Sequence, residues 1–436
     1  MKVANDADVI VVGAGPAGSC AALAAARGGL KVILVERGPF PGSKNMYGGV
    51  VYPRILDELV PQWWTTAPIQ RWVVKRSTML LSETGALNIE YRGHSWGRPP
   101  YNGATAYRPD FDNWLAEQAV RAGATLLCST TVTSLLRDES GRVVGIGTDR
   151  PDGDLHAPLV IACDGVNSFL AKQAGLYRAV DASHFTLGVK ETLSLPRDVI
   201  DERFGVRDDE GVDIEILGGT SGVNGGGFIY TNSDTVSLGV VLKLSKLAGQ
   251  TQRPEEIIGQ LKRHPAIAPL IEGAEILEYS AHVIPEAGLK MMPKMTADGL
   301  MVAGDAAALC LAAGIWLEGV NFAMASGMYA GRTAVASRSA NDASARFLKQ
   351  YTDSLNDSFV LKDHRKLRNI PELVLSDRVQ HSYPGFVTAI LQRMFQVDNP
   401  QAKPGLRRIV REERKRAGIK LRHLLRDGWI GMRGFG

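Results

Sequence analysis

The chain has 436 residues, more than one hydrophobic core usually serves, so two or more interlocked lobes are expected. A content of 45% hydrophobic and 22% charged residues excludes a disordered chain, and the lack of any apolar run of about 18 residues argues against a membrane-spanning helix. The net charge of +4 is uneven, because residues 401–436 hold eleven Lys and Arg against three acids, leaving −4 for the remainder.

Residues 1–8 carry acids and pass directly into an apolar run, without the basic start and cleavage site of a secretory leader, so a cytoplasmic location is expected. Residues 8–13 read as a buried parallel strand, 19–27 as an alanine-rich helix and 31–36 as a second strand, which together make a βαβ unit. In its first turn Gly13 permits the tight bend, Gly15 lets backbone approach a pyrophosphate, and Gly18 allows close helix–strand packing. The helix N-terminus then favours the anion. Glu36, 23 residues after Gly13, can accept both ribose hydroxyls and argues against a 2′-phosphate.

The glycine-rich loop of residues 39–53, with Gly42, Lys44, Asn45, Gly48 and Gly49, either lays N–H groups along a planar ring or diphosphate or is a flexible connector. A helix begins near Arg108, with Asp110 or Asp112 as its expected cap, and ends near Gly123. Strands follow over 124–128 and 130–137, and a turn at 139–141 leads to a strand over 143–148, giving a hairpin.

Two further buried strands end in acidic turns, at Asp164 and Gly165 and again at Gly304 and Asp305, and ligands of open α/β sheets bind beyond such ends. Between them, 212–217, 225–230 and 236–242 alternate as strands of an antiparallel second lobe, and 254–272 returns to helix. Gly225, Gly226 and Gly227, with Phe228 and Tyr230, either admit a planar quinone or form an ordinary hairpin turn.

The tail alternates apolar and basic residues at helical spacing, from Leu406, Ile409 and Val410 to Ile419, Leu421, Leu424 and Leu425. It reads as a helix on an anionic membrane, as a dock for an acidic ferredoxin, or as a solvated helix on its own core. Cys20, Cys128, Cys163 and Cys310 lie far apart with no CxxC pair, so they read as buried small hydrophobes and no metal site is expected. The scattered histidines receive no catalytic role, and no nucleic-acid partner is expected.

The GxGxxG with Glu36, the ending at Cys163, Asp164 and Gly165, and the run Gly304, Asp305, Ala306, Ala307 resemble the three fingerprints of the glutathione-reductase-type, aromatic-hydroxylase-like FAD superfamily. Within it, four groups of residues resemble the FixC family over most of the chain. They are Lys44, Asn45, Gly48 and Gly49; Tyr107, Arg108, Asp110 and Asp112; Glu318, Gly319 and Asn321; and Ser358, Phe359, Val360 and Asp363 with 365–371. FixC proteins are relatives of electron-transfer flavoprotein:quinone oxidoreductase. The resemblance therefore implies FAD, partner electron-transfer flavoprotein subunits, a separate ferredoxin-like iron–sulfur protein and a quinone. The four-cysteine domain of the fused enzymes is lacking here.

Carried over, Gly13, Gly15, Gly18 and Glu36 are expected at the ADP half of FAD, and Ala14, Ala17, Arg37, Lys44, Asn45, Gly48, Gly49 and Val132 are also expected to bind the cofactor. Arg108, Asp164, Gly165, Gly304 and Asp305 are expected at the ribityl-pyrophosphate half, and Gly319, Val320 and Asn321 at the isoalloxazine. The flavin performs the chemistry, so no side chain is assigned a catalytic role.

The implied fold is α/β with an α+β second lobe. A Rossmann-like FAD-binding domain takes residues 1–75, 105–180 and 280–345, a sheet domain on the quinone side takes 76–104 and 181–279, and a helical region takes 346–436. The function expected is electron transfer from an electron-transfer flavoprotein complex to quinone, at the inner face of the cell membrane if the tail docks there. The alternatives are a geranylgeranyl-reductase-like isoprenoid reductase and a flavin-dependent aromatic monooxygenase.

Overall fold

Apolar runs at residues 9–12 and 32–35 are buried at every position, as strands covered by helices on both faces must be. The computed structural model describes residues 4–44, 49–83, 85–177, 181–314 and 317–435. Its strands and principal helices run in chain order as β1 (Val9–Val12), α1 (Pro16–Arg27), β2 (Val32–Val35), β3 (Val50–Val51), β4 (Arg71–Leu81), β5 (Ala86–Arg92), β6 (Ala104–Thr105), α2 (Arg108–Arg121), β7 (Thr125–Leu127), β8 (Val132–Arg137) and β9 (Val143–Thr148). There follow β10 (Leu155–His156), β11 (Val160–Ala162), β12 (Phe185–Ser194), β13 (Glu210–Leu217), β14 (Gly225–Thr231), β15 (Thr235–Lys243), α3 (Pro254–Arg263) and β16 (Glu275–Pro285). The chain closes with β17 (Thr296–Ala297), β18 (Leu300–Val302), α4 (Val320–Ala340), α5 (Ala345–Asp357), α6 (Phe359–Lys366), α7 (Tyr383–Phe395), α8 (Leu406–Arg416) and α9 (Leu421–Phe435).

A six-stranded sheet has the order β17-β18-β11-β1-β2-β7, parallel except for β17. Segments far apart in sequence thus end side by side, and the turns after β1, β11 and β18 share one edge, where ligands of such sheets bind. Helices α1 and α4 pack through small residues. A Cβ on Gly327 would come 1.9 Å from Ala17 O, and one on Gly331 would come 2.4 Å from Ala21 O. Tyr351 of α5 donates to Val302 O at 2.9 Å and ties the following helices to this sheet.

The second sheet is nine-stranded, in the order β16-β12-β15-β14-β13-β4-β6-β3, with β5 also paired to β4. It is antiparallel except where β13 meets β4, because β4 arrives from an earlier segment of the chain. Val189, Ile214, Ile216, Leu238 and Val240 on one face pack with Ile257, Ile258 and Leu261 of α3. A third, small sheet contains the expected β8–β9 hairpin.

Three local expectations are corrected. The helix at 108 has no side-chain cap, because Pro109 belongs in a first turn and starts the helix at Arg108, leaving Asp110 in that turn and Asp112 inside the helix. The helix of 254–272 breaks after Arg263, where His264 is extended (φ −61°, ψ 134°), as a residue before proline prefers, and a short turn resumes at Ala268–Ile271. Gly225, Gly226 and Gly227 form no hairpin turn. They lie within β14, paired to β15 from Gly225↔Leu242 onward.

The tail forms α8 and α9. Ile409 and Ile419 are buried, and Asp427 of α9 accepts from Arg378 (2.7 and 2.8 Å) and from Tyr383 Oη (2.6 Å). One stripe of α9, Leu421, Leu425, Trp429 and Met432, is exposed. Among the described residues no helix is long and apolar enough to cross a membrane.

Candidate active site

The turn from β1 into α1 is built from close backbone contacts. Gly13 has φ +96°, and a Cβ there would lie 2.3 Å from Cys163 O; a Cβ on Gly18 would lie 1.8 Å from Gly13 O. Gly15 is different, because nothing lies within 4 Å of where its Cβ would be. Gly15 is also the N-cap of α1 and makes no side-chain cap, so the helix presents free N–H groups to that open space. Glu36 at the end of β2 accepts from Ala14 N (2.9 Å) and Gly38 N (2.7 Å), which fixes its carboxylate beside the turn.

Across the same edge, Arg108 donates twice to Asp112 at 2.8 Å, a buried fork inside α2. Asp164 accepts from Leu170 N with Oδ2, while its buried Oδ1 has no partner among the described residues. Gly165 (φ +74°) faces open space. Burial raises the Asp305 carboxyl above its ordinary range, and Arg108 draws it back. The N-terminus of α4, capped by Gly319 without a side-chain bond, also opens here. Asn321 donates from Nδ2 to Glu318, and its buried Oδ1 has no partner among the described residues. Burial raises Glu318 above the usual carboxylate range.

Gly15, Arg108, Gly165, Asp305, Glu318 and the N-terminus of α4 border one cavity of about 510 Å³, within the range of cofactor and ligand sites. At one end it is lined by Gly15, Pro16, Ala17, Arg108, Gly165 and Asp305, and next to them by Gly319, Val320 and Asn321. At the other it runs along the second sheet, past Gly225, Gly226 and Gly227, to Leu373, Val374, Val379 and Phe435. The glycines allow a close approach, because β14 lies tight against β15: a Cβ on Gly225 would meet Val241 O at 1.8 Å.

Not all expected site residues line this cavity. Gly13, Ala14, Gly18 and Glu36 form the turn behind it, and Asp164 and Gly304 support Gly165 and Asp305. Arg37 and Lys44 are exposed. Val132 opens β8, away from the cavity wall. Gly49 is buried where a Cβ would strike the Tyr230 ring at 2.2 Å. Asn45 and Gly48 lie outside the described residues.

Sequence reasoning missed Tyr52, Glu215, His282, Glu286 and Cys310, all of which line the cavity. A signal existed for Glu215, since Asp213 and Glu215 are two acids at alternate positions of an otherwise apolar strand. Glu286, 7% exposed, follows the last strand of the second sheet, and burial pushes its carboxyl up to about 7. With an unfolded value near 4.5, the folded state holds the extra proton between those values, so stability falls as pH rises from about 4.5 through 7. Glu286→Gln is therefore expected to match the parent near pH 4.5 and to exceed it at pH 8 by up to about 3 kcal/mol in urea unfolding. An equal difference at both pH values would refute this.

A family model described as FAD dependent oxidoreductase matches residues 8–210, one described as ETF-QO, ubiquinone-binding matches 185–284, and one described as ETF-QO/FixC family C-terminal domain matches 370–436. The chain is 39% identical to a probable electron transfer flavoprotein-quinone oxidoreductase, YdiS, of Escherichia coli, over 97% of this chain and 98% of that one. It is 39% identical to protein FixC of Azorhizobium caulinodans (98% and 96% covered) and 40% identical to protein FixC of Bradyrhizobium diazoefficiens (90% of each). Among solved structures, a geranylgeranyl bacteriochlorophyll reductase-like protein of Thermoplasma acidophilum aligns with TM-score 0.71 at 23% identity, covering 94% of this chain and 97% of that one. The flavin-dependent brominase Bmp2 aligns at 0.65 and 18%, covering 94% and 99%. At these identities the two structures share the fold and carry nothing about substrate.

Proposed function

The chain belongs to the ETF-QO/FixC family of FAD-dependent oxidoreductases, and from that premise we propose that it passes electrons from an electron-transfer flavoprotein, with a separate ferredoxin-like iron–sulfur subunit, through FAD to a quinone. The observation that carries the reading is one continuous cavity, which joins two uncapped helix N-termini to an apolar end floored by glycines. The partition into residues 1–75, 105–180 and 280–345 for FAD, 76–104 and 181–279 for the quinone side, and 346–436 for the helical region goes with it.

The residues fit the cofactor. Open space at Gly15, and the Asp164 Oδ1, Asn321 Oδ1 and Ser43 Oγ atoms that have no partner among the described residues, are what a bound polar molecule would satisfy. Gly15, Ala17 and Gly18 would hold the pyrophosphate, with Gly13 and Ala14 shaping the turn, and Glu36 the ribose. Arg108, Asp164, Gly165, Gly304 and Asp305 would hold the ribityl side, and Gly319, Val320 and Asn321 the flavin ring. Bound FAD supplies a two-electron store; the chain orients it and sets the local field. The positive end of α4 favours negative charge on the reduced ring, and Glu318 opposes it.

Glu318→Gln is accordingly expected to raise the flavin midpoint potential by roughly 20–40 mV, from a repulsion of about 1–2 kcal/mol at 30 mV per 1.4 kcal/mol. Spectroelectrochemical titration reads the shift, and an unchanged or lowered potential would contradict it. The tail goes with peripheral contact at an anionic membrane, because the apolar stripe of α9 leads along that helix to Phe435 at the cavity wall. Holoenzyme should sediment with phosphatidylglycerol vesicles, and Leu425→Asp with Trp429→Asp should leave it in the supernatant.

The function itself is tested by reducing the purified protein with dithionite and following re-oxidation by a soluble quinone and, separately, by air. Fast quinone oxidation with a slow oxygen reaction supports electron transfer. Fast oxygen reaction through a hydroperoxide would favour a monooxygenase instead.

A further inference from the structure

Asp213 and Glu215 stand at alternate positions of β13 and so share one face of the strand. Strand alternation ordinarily turns such acids to solvent, yet Asp213 is 6% and Glu215 7% exposed. Arg76 of the neighbouring β4 meets both: its Nε lies 3.4 Å from Asp213 Oδ2, and its Nη2 lies 2.6 Å from Glu215 Oε1. The same guanidinium stands 5.7 Å from the centre of the Tyr52 ring. Glu215 and Tyr52 line the cavity beside Gly225, Gly226 and Gly227, and Glu318 lines it from the segment ahead of α4.

The titratable and charged groups facing Glu215 are therefore Arg76 from β4, Asp213 from its own strand, Tyr52 from the segment after β3, and Glu318, which has Asp363 of α6 behind it. One guanidinium stands against three carboxyl groups. Buried like charges this close cannot all ionise, so the cluster retains a proton. Burial first, and Asp213 second, push Glu215 well above the ordinary carboxylate range, and burial raises Asp213 as well.

We propose that Glu215 is the proton donor to a carbonyl oxygen of the quinone bound in this cavity, with Arg76 and Asp213 as its positioning residues. The inference rests on the electron-transfer reading above. Reduction of a quinone to a quinol consumes two electrons and two protons, one for each carbonyl oxygen. The reduced flavin supplies the electrons. At one carbonyl the Glu215 O–H bond breaks as the quinol O–H forms, and the resulting carboxylate is left against Arg76. The second carbonyl oxygen takes the proton that the cofactor gives up as it is oxidised, and water recharges Glu215.

The test uses dithionite-reduced holoenzyme mixed anaerobically with a short-chain soluble ubiquinone or with ferricenium, an acceptor that takes an electron and no proton. For the parent protein, re-oxidation by quinone should slow in D₂O and fall as pH rises through the titration of Glu215. In Glu215→Gln the ratio of quinone rate to ferricenium rate should drop about 100-fold, the usual scale for loss of a general acid, and both dependences should vanish. In Asp213→Asn the fall with pH should move to lower pH, because Arg76 then favours the Glu215 carboxylate without competition. A purely structural role would move neither profile. An unchanged rate ratio in Glu215→Gln, or an unmoved pH profile in Asp213→Asn, would overturn the proposal. A parent protein oxidised quickly by ferricenium and slowly by quinone would instead overturn the electron-transfer reading.

Discussion

Gly18→Ala should yield a protein that is both less stable and nearly free of FAD, whereas Gly15→Ala should lose FAD with its stability intact. The difference follows from where each new methyl group would go. On Gly18 it would sit 1.8 Å from Gly13 O and 3.3 Å from a Val11 methyl, and neither backbone can yield without opening the turn. Overpacking of this kind costs about 1–3 kcal/mol, and the same distortion misaligns the N–H groups of α1. On Gly15, whose φ of −73° any residue adopts, it meets nothing in the protein and enters the cavity. A loss of about 1–3 kcal/mol of binding lowers FAD affinity roughly 5- to 150-fold. Flavin absorbance per chain and urea unfolding of the stripped protein read the two effects separately. Normal FAD content in Gly15→Ala would mean that the cofactor's pyrophosphate lies elsewhere.

Arg108→Met carries the second large effect. Asp112 is wholly buried, and both of its oxygens are met by Arg108 at 2.8 Å. Removing the guanidinium strands a carboxylate in the interior, at a cost of about 3–5 kcal/mol, whereas removing both partners is far milder. Arg108→Met with Asp112→Leu should recover most of the loss. The single variant should also regain stability as pH falls, because Asp112, raised by burial even beside Arg108, then takes up a proton in the folded state. Denaturant titrations at pH 5 and pH 8 at fixed FAD concentration check both points. A single variant within 1 kcal/mol of the parent at both pH values would show that the fork contributes little.

What the sequence made legible was local. The turn after β1, the acid at Glu36 and the strand ends at Asp164 and Asp305 each need only a few contiguous residues to express their backbone geometry. Gly225, Gly226 and Gly227 were open to two readings, because glycines have no side chains to show a period of two. The pairing of β14 with β15 keeps them in the strand expected over 225–230 and rules out the turn. Asp112 read as a cap because acids usually occupy helix starts, and its partner was visible only once Pro109 had fixed where the helix begins. The strand over 212–217 was legible but the burial of Asp213 and Glu215 was not, since Arg76, which makes burial of both acids tolerable, lies more than a hundred residues earlier in the chain.

The contact of α1 with α4 also bears on how the protein is made. The first helix reaches its partner only after roughly 300 further residues have been synthesised. At about 5–20 residues per second, the βαβ unit waits on the ribosome for roughly 15–60 s before β18 and α4 close over it. The edge of β1 away from β2 lies open until β11 has been made, and the alanine-rich face of α1 lies open until α4 has been made. A newly made chain would therefore be drawn to chaperones chiefly through its first 35 residues, and it could retain FAD only after the last strand of the sheet had been released.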